Sequence, residues 1–461
     1  MLATMFPGAR SNPQTSRSPN LRGRGLCLAF AFVLTAVLFS SGAASAEFDV
    51  RTQGGLRPGT RVIHVTSLAD NGPGSLREAL EATGPRIVVF DVGGYIELQS
   101  DLQITAAQLT IAGQTAPDPG IVLRGASVRI RAGDVVMEHI GVFPGPSNDA
   151  KINGGRDAIS LIGSVKHHHP VHGVILRNVS LGWATDENLS FAGDDTSNVV
   201  VEHSLIAKGL RRAGHPKGVH SMGLLVSNGV KNAAIVGNIL AFNNRRNPHI
   251  SQGSEVYFAN NFVYGYGERS VEVYRGVQKG GPLQATIVSN VFVPSADTQC
   301  SVDLVLFQTR FIEESPGAQV YLKDNVVDQS RATPSCPYPK AVSSKWQTVL
   351  AGAPPVRYQG WHLAPTDTLR QTLLRSAGMR PGARTPIDRL IIQQIESGAG
   401  HLIDSPSEDG GWPPLPAAPR RVAQAPVASG SGDKDVAALA AWLCSSGLAV
   451  GGAPYAGCKA H

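Results

Sequence analysis

The sequence predicts an all-β chain wound as a parallel β-helix, and three observations carry that prediction. Seven segments share one form, alternating β-formers, then Asn or His, then more β-formers: DVVMEHIGVF, GVILRNVSLG, NVVVEHSLIA, AAIVGNILAF, EVYFANNFVY, ATIVSNVFVP and QVYLKDNVVD. Their shared polar positions, His139, Asn178, His203, Asn238, Asn261, Asn290 and Asn325, lie 39, 25, 35, 23, 29 and 35 residues apart. An irregular period of that size fits stacked coils joined by loops of variable length, with Asn placed at the bend because it tolerates the left-handed conformation. Between residues 85 and 330 no helical pattern separates these segments, which argues against a doubly wound α/β sheet. A β-sandwich would space its strands more tightly and evenly.

The elements follow in order. Arg22 and Arg24 precede an apolar run, LCLAFAFVLTAVLF, and Ala44-Ser45-Ala46 reads as a cleavage site. Residues 1–46 are therefore expected to be a secretory signal peptide, with Glu47 opening the mature chain. The run is too short for a membrane span, so the mature protein is expected to be soluble, outside the cytosol and free of membrane. In GPGSLREALEATG, Ser75 and Glu78 have capping-box spacing and Leu76, Ala79 and Leu80 form an apolar stripe. This predicts a helix capping the N-terminal end of a solenoid, whose core needs such covers. Residues 47–332 are assigned to the β-helix and 333–412 to an extension packed on it. Within the extension, TPIDRLIIQQIESG places Thr385 at a helix N-cap, Pro386 at the first helical position and Asp388 in the first turn. This helix is expected to cap the far end. Residues 413–461 read as a Pro/Ala-rich linker followed by a short helix, VAALAAWL.

The totals exclude some functions. The chain carries 41 Lys and Arg against 35 Asp and Glu. The leader holds four arginines and no acid, so the mature balance is 37 against 35, or +2. Charge gives no support to nucleic-acid binding, and any anion recognition must be local. Four cysteines remain after the leader, Cys300, Cys336, Cys444 and Cys458. An even number in an exported chain suggests two disulfides, with neighbour pairing the first choice among three connectivities.

Charged residues gather in particular coils. Asp157 lies in GGRDAISL, Asp186-Glu187 in LGWATDENLS and Asp194-Asp195 in FAGDD. Stacking could bring the first of these onto one face as hard oxygen ligands of the kind Ca²⁺ takes; the alternative is ordinary acidic turns, and Asp194-Asp195 reads as a turn. Lys217 follows in AGHPKGVHSMG, and Arg245-Arg246 in AFNNRRNPHIS. Carboxylates followed by cations on stacked coils suit a polymeric anion. His167-His168-His169 reads as a solvated loop, since three consecutive residues cannot easily face one ion.

The segments HVTSLADNGPGSLREAL, LTIAGQTAPDPGIVLRG, RDAISL, LGWATDENLS, GHPKGVHSMGLL, NNRRNPHI and SGAGHLIDSPSEDGGWP together resemble the pectate lyase C-like polysaccharide lyases of right-handed parallel β-helix fold. The resemblance covers most of residues 60–410. It implies that Asp157 and Asp186 are calcium ligands. Ser190 stands where the family has a third aspartate, so that ligand is either missing or supplied by Glu187. It further implies that Lys217 binds substrate and supports catalysis, and that Arg246, two before Pro248, is the catalytic base. The family's basic residue after that proline falls on Ser251, with His249 the nearest replacement. Arg245 and His220 join Lys217 and His249 as expected substrate contacts. The family's acidic pair before the metal site is Arg177-Asn178 here. The implied reaction is calcium-assisted β-elimination from a polyuronate, giving 4,5-unsaturated products, by a secreted monomer. Two rivals remain. A β-helix glycoside hydrolase of polygalacturonate needs paired carboxylates, but no Asn-Thr-Asp, Gly-His-Gly or Arg-Ile-Lys accompanies FAGDD. A non-catalytic polysaccharide-binding β-helix is the other, since fold alone assigns no function.

Overall fold

The computed structural model describes residues 46–251, 253–274, 281–299, 304–307, 316–328, 344–427, 432–453 and 458. The expected signal peptide and the expected Cys300–Cys336 pair lie outside them. Strand Arg61–Val65 pairs with the next strand, Arg86–Phe90, and from there on the strands of the coils pair in parallel with the strand three places on in the chain, so each coil adds one strand to each of three sheets. The sheets hold ten, nine and eight described strands. The first runs from Arg61–Val65 to Gln319–Lys323, the second from Gly94–Glu97 to Val326–Val327, and the third from Leu102–Ile104 to Val305–Phe307. The result is a parallel β-helix, with no sandwich pairing among the described residues.

Alternation within the short strands explains the core. In the eight-stranded sheet Val128, Ile159, Leu189, Leu224, Ile250 and Val271 face inward and belong to one buried apolar cluster that runs the length of the solenoid. No single coil could bury these side chains; stacking removes them from water together.

The bends from the ten-stranded to the nine-stranded sheet are single residues with positive φ, and their identity corrects the sequence reading. His139, Asn178 and His203 do occupy left-handed bends, at φ 58°, 48° and 49°. In the later coils the bend is the residue before the expected one: Gly237, Asn260, Ser289 and Asp324. Asn238, Asn261, Asn290 and Asn325 instead turn inward and stack. Each amide donates to the next Oδ1, at 3.0, 3.1 and 2.9 Å, and the Oδ1 of Asn261 also accepts the backbone N–H of Asn238. The ladder satisfies polar groups that would otherwise be buried unpaired, at about 1 kcal/mol per bond.

Helix α1, Leu76–Glu81, is capped by Ser75, whose Oγ accepts the Glu78 N–H at 3.2 Å. Its Leu76, Ala79 and Leu80 join the core cluster at the N-terminal coils. A short helix α2, Ala150–Asn153, sits in the loop before Asp157. Helix α3, Thr366–Ser376, and helix α4, Pro386–Ser397, do not cap the far end. Leu369, Leu373, Ile387, Ile391 and Ile395 pack with Leu205, Ile239 and Phe262, which belong to the nine-stranded sheet, so these helices cover its outer face. Thr385 caps α4 as expected, and the Asp388 carboxylate accepts the Ser180 hydroxyl at 2.6 Å. The Pro/Ala-rich segment is not a free linker: the backbone N–H of Ala418 bonds the Gly93 carbonyl, and that of Ala423 the Asp91 carboxylate. Helix α5, Gly432–Ala449, is longer than expected. It packs Leu439 and Leu443 on Ile87, Val89 and Ala112, and Cys444 is bonded to Cys458.

Candidate active site

The charged candidates share one edge of the solenoid. Each lies in, or just after, a loop that leaves the nine-stranded sheet and enters the eight-stranded one. Three of these loops open on non-glycine residues held at positive φ, Trp183 (56°), Lys208 (59°) and Phe242 (53°). Buried contacts hold that conformation: Lys208 Nζ, for example, donates to the His401 carbonyl at 2.8 Å and faces Asp409. Stacking then sets the loops' far ends one coil apart, about 4.8 Å.

Asp157 lies two residues before the strand Ile159–Ile162, and Glu187 opens the next strand in register. The Asp157 Oδ1 accepts the Glu187 N–H at 3.1 Å. Asp157 and Glu187 are buried, and Asp186 keeps some access to water. The three carboxylates can bring oxygens within 4.8 Å of one another. Burial, and then the Asp186 charge, push the Asp157 carboxyl up to about 8. Beside them the Ser160 hydroxyl is buried without a hydrogen-bond partner, and the Ser190 hydroxyl lies against the Asp157 carboxyl. An all-oxygen donor set with mutual repulsion and an orphaned hydroxyl beside it fits a hard divalent cation. One cation already reaches it: Arg246 Nη1 pairs with Glu187, while its buried Nε has no partner.

Asp186 also faces two imidazoles. His220 Nε2 and His215 Nε2 stand 3.4 and 3.7 Å from its Oδ1. This second group has ligand-type atoms at metal-site separations, but its chemistry fits less well. The His215 Nδ1 accepts the Lys217 N–H at 3.1 Å, so the neutral ring carries its proton on Nε2, which makes no hydrogen bond at 3.7 Å from Asp186 and offers no lone pair to a metal. The two rings also stack, with centroids 3.4 Å apart and 22° between planes, whereas ligands of one ion splay apart. The pair braces Asp186 and the turn that presents Lys217.

Lys217 is exposed on that turn. Arg246 has φ 61° and precedes the cis Asn247-Pro248 bond. Arg245 points elsewhere: its Nη2 and Nε donate to Glu272 Oε1 at 2.7 and 3.1 Å. Glu272 is fully buried, and Arg269 Nη1 meets the same oxygen at 3.2 Å. Burial opposes its charge, but the facing His249 ring and the Arg245 guanidinium hold it down at about 2. His249 is buried against Glu272 and Tyr274. Arg177 and Asn178 lie away from the cleft, Arg177 joining Glu138 and Glu202 on the ten-stranded sheet. Asp194-Asp195 forms a turn and His167–His169 is exposed, as expected.

Sequence reading missed Glu272, His215 and an amide relay under the arginine loop. Asn188 donates to Asn243 at 3.0 Å and Asn243 to Asn247 at 3.1 Å, which fixes the loop's two ends. The doubled Asn243-Asn244 before Arg245 was the signal for the relay. Glu272 was visible as the lone acid in VEVY, facing the same side as His249 in the neighbouring strand.

Stacked parallel coils that present carboxylates, a lysine and an arginine along one open edge define a parallel-β-helix protein of the polysaccharide-lyase type. No family model matches the chain. Among curated proteins, "Probable pectate lyase C" of Aspergillus fumigatus is 30% identical over 393 residues, covering 83% of both chains. The protein of the same name from Aspergillus terreus is 33% identical over 269 residues, covering 58% of this chain and 56% of its own. A solved pectate lyase bound to hexasaccharide superposes with a TM-score of 0.48 at 12% identity, over 69% of this chain and 92% of that one. The chain belongs to the pectate lyase C family and is a lyase.

Proposed function

We propose that the chain is a secreted lyase that cleaves a polyuronate of the pectate or polygalacturonate type by calcium-assisted β-elimination. The observation that carries this reading is the meeting of three carboxylates with Arg246 at one edge of the solenoid. Asp157, Asp186 and Glu187 would hold Ca²⁺, since each offers hard oxygen. When bound, the ion supplies positive charge that stabilises the negative charge developing on the uronate carboxylate.

The chain's own residues do the rest. Lys217, exposed on its turn, reaches the same carboxylate and orients the sugar. Arg246, released from Glu187 with its own proton passed to water, takes the proton at C5. The C5–H electron pair becomes the C4–C5 double bond as the C4–O bond to the next sugar breaks, and water protonates the departing oxygen. Arg245 takes no direct part, because its charge is balanced by Glu272. Its service is to fix the loop from which Arg246 projects.

Incubation with polygalacturonate tests this. A Ca²⁺-dependent rise in ultraviolet absorbance from the unsaturated product, abolished by EDTA, is the expected result. Growing reducing ends without absorbance would replace the lyase by a hydrolase, and no reaction on any acidic polysaccharide would leave a binding protein.

A further inference from the structure

The outer face of the ten-stranded sheet carries a cleft of its own, on a different side of the solenoid from the catalytic edge. Its floor is a column of residues in register, Tyr257, Thr286 and Tyr321. Their chain neighbours Phe258 and Ile287 belong to the interior cluster, so the column faces outward. The segment 354–363 arches over it and is tied down on both sides. Thr286 Oγ1 donates to the Val356 carbonyl at 2.7 Å, and Asn260 Oδ1 accepts Trp361 Nε1 at 3.0 Å and the Ala364 N–H at 2.8 Å. The Trp361 ring fills the space left by the bend residue Gly237, where a Cβ would come within 2.4 Å of it. Between arch and floor lies a volume of about 470 Å³.

The lining suits an uncharged sugar. Tyr257 is 6% exposed, and its hydroxyl has no hydrogen-bond partner among the described residues. Tyr321 is half-buried and its hydroxyl is likewise without one. Burial raises the Tyr257 phenol, so it stays protonated and can both donate and accept. Two coils set these tyrosines about 10 Å apart, a span that a disaccharide covers. The rim charges cancel. Lys323 and Arg357 stand against Asp324 and Glu47, with Lys323 Nζ 4.0 Å from Asp324 and Glu47 accepting Gln359 Nε2 at 3.0 Å. Val288, Trp361 and the exposed Leu363 add apolar surface. A uronate carboxylate gains no net charge here, whereas a neutral pyranose finds ring faces for its C–H groups and unpaired phenols for its hydroxyls.

We propose that this cleft binds a neutral polysaccharide, with two or more hexopyranose units laid on Tyr257 and Tyr321 beneath the arch, and so anchors the protein on such a chain. Binding here is independent of the lyase reading, because the cleft shares no residue with the catalytic edge.

Calorimetric titration with two neutral probes tests this: cellohexaose, standing for a glucan, and β-1,4-linked galactohexaose, standing for a neutral branch on an acidic chain. At least one should bind the parent with a dissociation constant below about 1 mM. Tyr257→Phe removes one oxygen and keeps the ring, so it should weaken that binding about fivefold, the worth of one hydrogen bond, without moving the melting temperature. Tyr321→Ala should weaken it more than tenfold through the lost ring. Turnover on polygalacturonate should be unchanged in both variants. Failure of both probes to bind, unchanged binding in either variant, or displacement of the neutral probe by hexagalacturonate without Ca²⁺ would overturn the site and leave the lyase reading as it stands. A parent that binds the probe but cleaves no acidic polysaccharide would overturn the lyase reading alone.

Discussion

Two buried acidic centres lie on the same edge of this solenoid, and they are in opposite electrostatic states. At Glu272, Arg245 and Arg269 converge on one carboxylate beside His249, and the acid is held at about 2. At Asp157, Asp186 and Glu187, three carboxylates share Arg246, and Asp157 is pushed up to about 8 by burial and its neighbour. The first centre is balanced in charge and behaves as structure, although Glu272 Oε2 and His249 Nδ1 make no hydrogen bond. The second lacks positive charge, and a fold retains such an arrangement where a cation or substrate supplies what is missing. Number of acids alone does not mark a site; the shortage of positive charge does.

The largest test of this contrast is at Arg246. Arg246→Ala should lower turnover on polygalacturonate by about 10³-fold, within the range for loss of a positioned base, and, with Ca²⁺ in excess to offset the lost cation, leave the melting temperature near that of the parent. A variant retaining more than a tenth of the activity would break the assignment. Glu272→Gln should do the reverse. It should cost about 3 kcal/mol of stability, toward the low end for a broken buried pair because both arginines keep some access to water, as read by denaturant unfolding.

That centre also sets a pH signature. The carboxyl of Glu272 sits at about 2 in the fold and near 4.3 unfolded. Its contribution is therefore fully present above about pH 4.3 and is lost as pH falls toward 2. Melting curves of the parent and Glu272→Gln should converge across that window; a constant gap would show that the loss is one of packing. The smallest expected effect is at Ser190. Ser190→Asp adds a fourth carboxylate to the deficient centre. It should tighten calcium binding by about tenfold, since ligand charge tunes affinity, and lower the stability of the metal-free protein.

The contrast also explains what the sequence disclosed. The coils were legible because alternation and the polar bend repeat at every turn, although the frame slipped by one residue where Asn238 and its successors stack inward beside a separate bend residue. Asp157, Asp186 and Glu187 were legible as acids beside strands, and stacking brought them together. Arg245 and Arg246 are adjacent and chemically alike, so only the fold separates them, one turned to Glu272 and the other to Glu187. The partner that decides this, Glu272, lies 27 residues beyond Arg245, and such a pairing depends on coil lengths that no local pattern encodes. The lateral placement of α4 was hidden for a similar reason: its apolar stripe shows that it packs, but not on which surface.

The most direct test is a calorimetric titration of Ca²⁺ into the parent protein, Asp186→Asn and Glu272→Gln. The account predicts one site in the parent, its loss in Asp186→Asn and its retention in Glu272→Gln. Equal binding in the parent and Asp186→Asn would show that the three carboxylates are not the cation site, and would contradict the account at its centre.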